Sequence, residues 1–230
     1  MIDILLAGVG GQGTVLAAKV LAQAAQSKGW QVRTAETIGM AQRGGNVTSH
    51  VRMGSNGEAV YSPLITPGTA DMVIALEPGE AARALPYLAP GGVLVTATTA
   101  IQPVTASQPY RAGDVVAALA NSLQAEASHE QAAETIVAPN TVTADQDASA
   151  DGVEGYPVPL FIPVDDEALV REAGAGSRKS LNMMLLAVAV AQGRVPLTVD
   201  ELKDAVRACV KPQFVAMNLA AIDTAVANFG

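Results

Sequence analysis

Gly8-Val9-Gly10-Gly11-Gln12-Gly13 is the first run of residues whose types and spacing could do chemistry. It satisfies G-x-G-x-x-G between an apolar run, Ile2 to Ala7, and an Ala/Leu/Val helical pattern, Thr14 to Ser27. Glycines let a backbone turn tightly, and their N–H groups, with the dipole of the following helix, attract an anion. A dinucleotide reading puts the pyrophosphate of NAD or FAD on this loop and its ribose on Glu36. Against that reading, Glu36 leads into a glycine-rich loop where a dinucleotide fold would continue into a second βα unit. The same glycines equally permit close packing of strand on helix, and spacing alone does not choose.

Gly39-Met40-Ala41-Gln42-Arg43-Gly44-Gly45-Asn46 is the second run. A guanidinium beside two glycines suits a carboxylate, a phosphate or a partner subunit. Its plainer reading is a solvated turn arginine, but a loop this long within one domain usually serves a function. The third run, Glu77-Pro78-Gly79-Glu80, sits where a strand gives way to a helix. Ligands bind at such strand ends, yet acidic residues are also ordinary in a first helical turn, which is the preferred reading. The candidate binding residues are therefore Gly8, Gly10, Gly11, Gln12 and Gly13, with Glu36, and Gln42, Arg43, Gly44 and Gly45. No residue is assigned a catalytic or metal-binding role. His50 reads as a packed or surface polar group, His129 as solvated, and Cys209 as an inert helix residue.

Composition narrows the function classes. A single cysteine rules out a disulfide framework and a cysteine-ligated zinc or iron–sulfur site within this chain. Net charge is −8, which argues against nucleic acid. Seven of the acidic residues, Glu126, Glu130, Glu134, Asp145, Asp147, Asp151 and Glu154, fall between Gln124 and Pro157. The start, MIDILLAGVGGQG, lacks a basic leader, and the apolar run Met183 to Ala191 is too short for a bilayer. A soluble, cytoplasmic chain without a membrane partner is expected.

The elements that must position these residues follow from periodicity. Half the residues are hydrophobic and only 3% aromatic, so the core must be aliphatic, as in helices packed on a mostly parallel sheet. Ile2 to Ala7, Trp30 to Ala35, Asp71 to Leu76, Val93 to Thr98 and Leu160 to Val164 read as strands. Helices are expected over Thr14 to Ser27, Pro78 to about Leu88, and Asp114 to about Leu123. Further helices follow Asp165 to Glu172, Ser180 to Gln192, the capping box Thr198–Glu201, and Pro212. Val47 to Met53 alternates, and Asn56-Gly57 predicts a hairpin returning through Ala59 to Leu64. The fold class is thus α/β: a three-layer α/β/α Rossmann-like domain with a mixed, mostly parallel sheet. A β-hairpin replaces the second βα unit. Residues 1–230 form one domain, with an acidic, partly disordered insertion at about 125–158.

Five segments together resemble a family: GVGGQGTVLAAKVLA, AETIGMAQRGGNVTSHVRMG, YSPLI, ADMVIALEPGEAARALPYLAPGG and GSRKSLNMMLLAVAVA. They resemble the gamma-type domain of the 2-oxoacid:ferredoxin oxidoreductases, and most of all the beta-type subunits of its indolepyruvate branch. The resemblance is strong over Ile2 to Pro90 and looser over Leu160 to about Asn218. It implies a non-redox subunit, inactive alone, that packs on an alpha subunit carrying thiamine diphosphate and [4Fe–4S] clusters. The reaction so implied oxidatively decarboxylates an aryl pyruvate such as indole-3-pyruvate, with coenzyme A taking the acyl group and ferredoxin the electrons. It implies no cofactor tightly bound to this chain, and a contact of the glycine loop or the Arg43 loop with coenzyme A. The alternatives are a stand-alone dinucleotide-binding redox module and a scaffold without a ligand.

Overall fold

The computed structural model describes residues 1–39, 45–55, 57–102, 109–136, 159–174 and 178–229. Among the described residues six strands form one sheet: β1 (Ile2–Val9), β2 (Gln31–Ile38), β3 (Asn46–Gly54), β4 (Ala70–Ala75), β5 (Leu88–Ala97) and β6 (Leu160–Val164). Their order is β2-β3-β1-β4-β5-β6. β1, β4, β5 and β6 run parallel, and β3 is antiparallel to both its neighbours, β1 and β2. The fold is the expected mixed, mostly parallel α/β sheet.

Among the described residues seven α-helices cover it: α1 (Thr14–Ser27), α2 (Pro78–Ala84), α3 (Ala112–Ile136), α4 (Asp166–Glu172), α5 (Leu181–Ala191), α6 (Val199–Cys209) and α7 (Pro212–Phe229). One core joins Ile4 and Leu6 of β1 to α1, α4, α5, α6 and α7. The other joins Leu5 and Ala7 to α2 and α3. Alternate β1 residues thus feed opposite layers, as the two-residue period of a strand requires. All of β1 is buried, which explains why it reads as an unbroken apolar run. α1 packs through Ala17, Ala18, Ala24 and Ala25, whose small side chains let it lie close on the sheet. At α6 the Thr198 hydroxyl accepts the Glu201 N–H at 3.2 Å and the Glu201 carboxylate accepts the Thr198 N–H at 2.7 Å. Such a capping box contributes about 1 kcal/mol.

Several boundaries differ from the sequence reading. The hairpin exists, but β2 is the partner of β3, and residues 39–45 connect them. With β1 and β2 on its two edges, β3 has no edge left for Ala59 to Leu64. That segment is instead tied down by Arg52, whose guanidinium donates to the carbonyls of Ser62 (3.2 Å) and Leu64 (3.4 Å). Pro90-Gly91-Gly92 lies within β5, where the register against β4 shifts and Gly91 has φ 70°. The helix from Pro78 gives way after Ala84 to a 3-10 turn, Leu85–Tyr87. α3 continues to Ile136, into the stretch read as an insertion; residues 137–158 lie outside the described residues.

Candidate functional site

α1 leaves β1 on one face of the sheet and α2 leaves β4 on the other, so β1 and β4 flank a topological switch point. Open α/β sheets bind ligands at the carboxyl ends of such a strand pair. Gln12 bridges this place. Its Oε1 accepts the Val9 N–H at 2.6 Å, and its Nε2 donates to the Leu76 carbonyl at 2.8 Å. The side chain in the middle of the glycine loop therefore fastens the ends of both strands together.

The four glycines do different jobs. A Cβ on Gly8 would lie 2.9 Å from both Gln12 Oε1 and Thr14 Oγ1. Gly13 has φ 83°, and a Cβ there would meet Asn182 Nδ2 at 2.6 Å. That same amide donates to the Gly13 carbonyl at 3.1 Å, joining the start of α1 to α5. Close packing thus accounts for Gly8 and Gly13. Gly10 and Gly11 are exposed: a Cβ on Gly10 would make only an ordinary contact with the Gly45 carbonyl at 3.5 Å, and nothing lies within 4 Å of a Cβ on Gly11, whose φ is 97°.

Gly10 also connects the first two sequence runs, because its N–H donates to the Gly45 carbonyl at 2.8 Å. The glycine loop and the end of the second loop are therefore in direct contact. Gly39 N–H to Asn46 O at 2.8 Å closes the base of that loop. Gln42, Arg43 and Gly44 lie outside the described residues. Glu36 is not brought to the glycine loop. It is exposed on the edge strand β2, paired with Ser49 of β3, and β3 separates β2 from β1. Two strand spacings, roughly 10 Å, replace the single spacing of a dinucleotide fold.

A cleft of about 340 Å³ opens beside the loop, with Gly10, Gly11, Gln12, Ile101, Arg178 and Lys179 among its walls. Arg178 and Lys179 belong to the 3-10 turn that starts α5, and Lys179 is exposed. Behind Arg178 stands Asp166, fully buried at the start of α4. Its Oδ1 accepts the N–H groups of Thr98 (3.0 Å) and Thr99 (2.9 Å), and its Oδ2 forms an ion pair with the Arg178 guanidinium. The pair is a charge contact: Oδ2 and the guanidinium make no directed hydrogen bond among the described residues. One carboxylate thus ties the end of β5 and the start of α4 to a cation at the cleft wall. The exposed Lys179, two exposed glycines and the start of α1 form an arrangement suited to phosphate groups, while the Arg178 guanidinium is sealed behind the wall.

Sequence reasoning missed Asp166, Arg178, Lys179 and Asn182. The string from Gly176 to Asn182 was visible, but nothing local tells that its cations reach a loop far away in the chain. Asp165 is the helix cap, its side chain accepting Ala168 N–H at 3.0 Å, and the buried carboxylate is its neighbour.

The remaining candidates lie away from this cleft. Glu77 caps α2, accepting the Glu80 N–H at 2.9 Å and the Tyr110 hydroxyl. Burial raises its pKa above the usual carboxylate value, and burial does the same for Glu80, which pairs with Arg83. His50 is buried, accepts the Ile65 N–H on Nδ1 at 3.2 Å, and meets Tyr87 edge to face. Burial lowers its pKa. Cys209 is half-buried at the end of α6, and burial pushes its thiol up, which suits an unreactive cysteine. No helix among the described residues is long and apolar enough to cross a membrane.

Comparison with known proteins adds three findings. The family model described as pyruvate ferredoxin/flavodoxin oxidoreductase matches residues 3–228. A relative from Archaeoglobus fulgidus, named indolepyruvate oxidoreductase subunit IorB, is 32% identical over 221 residues, covering 96% of this chain and 92% of its own. Two solved structures share the fold. One is the gamma subunit of a keto/oxoacid ferredoxin oxidoreductase from Geobacter sulfurreducens, with TM-score 0.61 and 20% identity, covering 99% of this chain and 97% of its own. The other is a 2-oxoglutarate:ferredoxin oxidoreductase from Magnetococcus marinus, solved with 2-oxoglutarate, coenzyme A and succinyl-CoA bound. It aligns with TM-score 0.61 and 19% identity over 98% of this chain and 30% of its own.

Proposed function

The chain belongs to the pyruvate ferredoxin/flavodoxin oxidoreductase family, and we propose that it is the non-redox, gamma-type subunit of a cytoplasmic 2-oxoacid:ferredoxin oxidoreductase. Its 2-oxoacid is an aryl pyruvate such as indole-3-pyruvate, a reading supported by the name that its Archaeoglobus relative carries. The acyl group passes to coenzyme A and the electrons to ferredoxin. This chain's donor set does not fit an iron–sulfur cluster: it has one cysteine, half-buried, with its thiol pKa raised. As the family resemblance implies, we read the clusters and thiamine diphosphate as belonging to an alpha subunit on which this chain packs.

The observation that carries its own share of the work is the cleft at the switch point. Arg178, held by Asp166, and the exposed Lys179 stand across from Gly10 and Gly11. We read the cleft as the contact for the phosphates of coenzyme A, a reading supported by the coenzyme A bound in the Magnetococcus relative. In this reading Lys179 binds the phosphates, Arg178, its guanidinium sealed against Asp166, holds the cleft wall, and the exposed glycines let the phosphates approach the backbone. Gly45, joined to Gly10, brings the described end of the second loop to the same edge.

The reading is tested by Lys179→Gln in the assembled enzyme. Lys179 is exposed and makes no ion pair among the described residues, so its loss leaves the fold intact. The variant is expected to raise the KM for coenzyme A about fivefold, with kcat and the KM for the 2-oxoacid unchanged, because a half-exposed charge contact contributes about 1 kcal/mol. An unchanged KM for coenzyme A would remove the cleft from its binding site.

A further inference from the structure

On the opposite face of the sheet, α2 and the Leu85–Tyr87 turn pack over β4 and β1. A pocket of about 200 Å³ opens beside them, with Thr37, Thr48, His50, Glu80, Arg83 and Tyr87 among its walls. We propose that this pocket binds a small monocarboxylate, held by the His50 Nε2–H, the Arg83 guanidinium and the hydroxyls of Thr37 and Thr48. The proposal is independent of the coenzyme A reading, which concerns the other face.

His50 is the first argument. His50 is only 4% exposed, yet it lines the pocket. Its Nδ1 accepts the Ile65 N–H, so the proton of the neutral imidazole sits on Nε2. That donor has no acceptor among the described residues. Nor is Nε2 among the fully sealed polar atoms. A buried donor without a partner is costly unless something enters to accept from it.

The second argument is how the charges are held. Glu80, its side chain 5% exposed, pairs with Arg83, whose side chain is 70% exposed. The buried acid anchors the guanidinium at the pocket and cancels its net charge. A dianion such as phosphate therefore gains little from the site as a whole. A monoanion still gains directed N–H and O–H donors. Third, Thr37 and Thr48 are direct cross-strand partners on β2 and β3, so their side chains emerge side by side on one face. Space of this size takes an acid of a few heavy atoms and no cofactor.

The chain has only two histidines, so imidazole resonances report the site directly. The full chain carrying His129→Gln, labelled with ¹⁵N, leaves His50 as the one source of ring signals. Titration with sodium propionate at constant ionic strength is expected to shift the Nε2 signal saturably, with Kd in the low millimolar range that five heavy atoms allow. Arg83→Gln is expected to raise that Kd about tenfold, and Thr48→Val about threefold, with phosphate producing no saturable shift. Arg83 is exposed and Thr48→Val nearly conserves shape, so two independent variants report on the folded chain. No saturable shift up to about 50 mM propionate would overturn the proposal. So would a Kd unchanged in both variants, or phosphate binding as tightly as propionate.

Discussion

Asp166→Ala is expected to destabilise the chain by about 3–5 kcal/mol, the cost of removing one member of a buried ion pair. The substitution leaves the Thr98 and Thr99 amides without their acceptor and the Arg178 guanidinium without its counter-charge. For a chain of this size the melting temperature falls by about 2–4 °C per kcal/mol, so a drop of roughly 6–20 °C follows. Asp166→Asn keeps an oxygen for the two amides but loses the charge, and its effect lies between Ala and the native residue. Thermal unfolding followed by circular dichroism measures both. A loss below about 1 kcal/mol for Asp166→Ala is the size of an ordinary surface change and would show that Asp166 does not hold Arg178 or the end of β5.

Gly13→Ala is expected to cost about 2–5 kcal/mol. Placing a non-glycine residue at φ 83° accounts for about 1–2 kcal/mol. Displacing the Asn182 amide, 2.6 Å from the new Cβ and bonded to the Gly13 carbonyl, adds about 1–3 kcal/mol. Gly29→Ala is the control: its φ is 78°, but no atom lies within 4 Å of its Cβ, so it bears the backbone strain alone. Denaturant unfolding of the two variants separates the effects. Asn182→Ala in the Gly13→Ala background should recover part of the loss, because it removes the obstructing amide. Equal losses in Gly13→Ala and Gly29→Ala would mean that the packing of α1 on α5 does not require this glycine.

The sheet was legible because its strands carry their own signals. β1 and β4 are buried on both faces and read as apolar runs, and Thr198–Glu201 forms the capping box that its spacing announces. The partner of β3 was misread because alternation shows which face a strand buries and says nothing about which neighbour it pairs with. The Asn56-Gly57 hairpin signal was outweighed by two full ladders on either side of β3. The glycine loop was legible as a motif but not in its division of labour. That Gly8 and Gly13 serve packing depends on Gln12 and Asn182, and Asn182 lies in a distant helix. Asp166 and Arg178 were invisible for the same reason: a buried ion pair between α4 and the turn before α5 leaves no periodic trace. The contact of Gly10 with Gly45 joins two runs that the sequence offered only as separate candidates.

Reconstitution tests the assignment most directly. The chain is to be co-expressed with the large thiamine diphosphate and iron–sulfur subunit of the same organism, and viologen reduction measured with indole-3-pyruvate and coenzyme A. The two chains are expected to copurify, and dye reduction to require both of them together with coenzyme A. A large subunit that reduces the dye equally fast without this chain, or that fails to associate with it, would contradict the assignment of this chain as its non-redox partner.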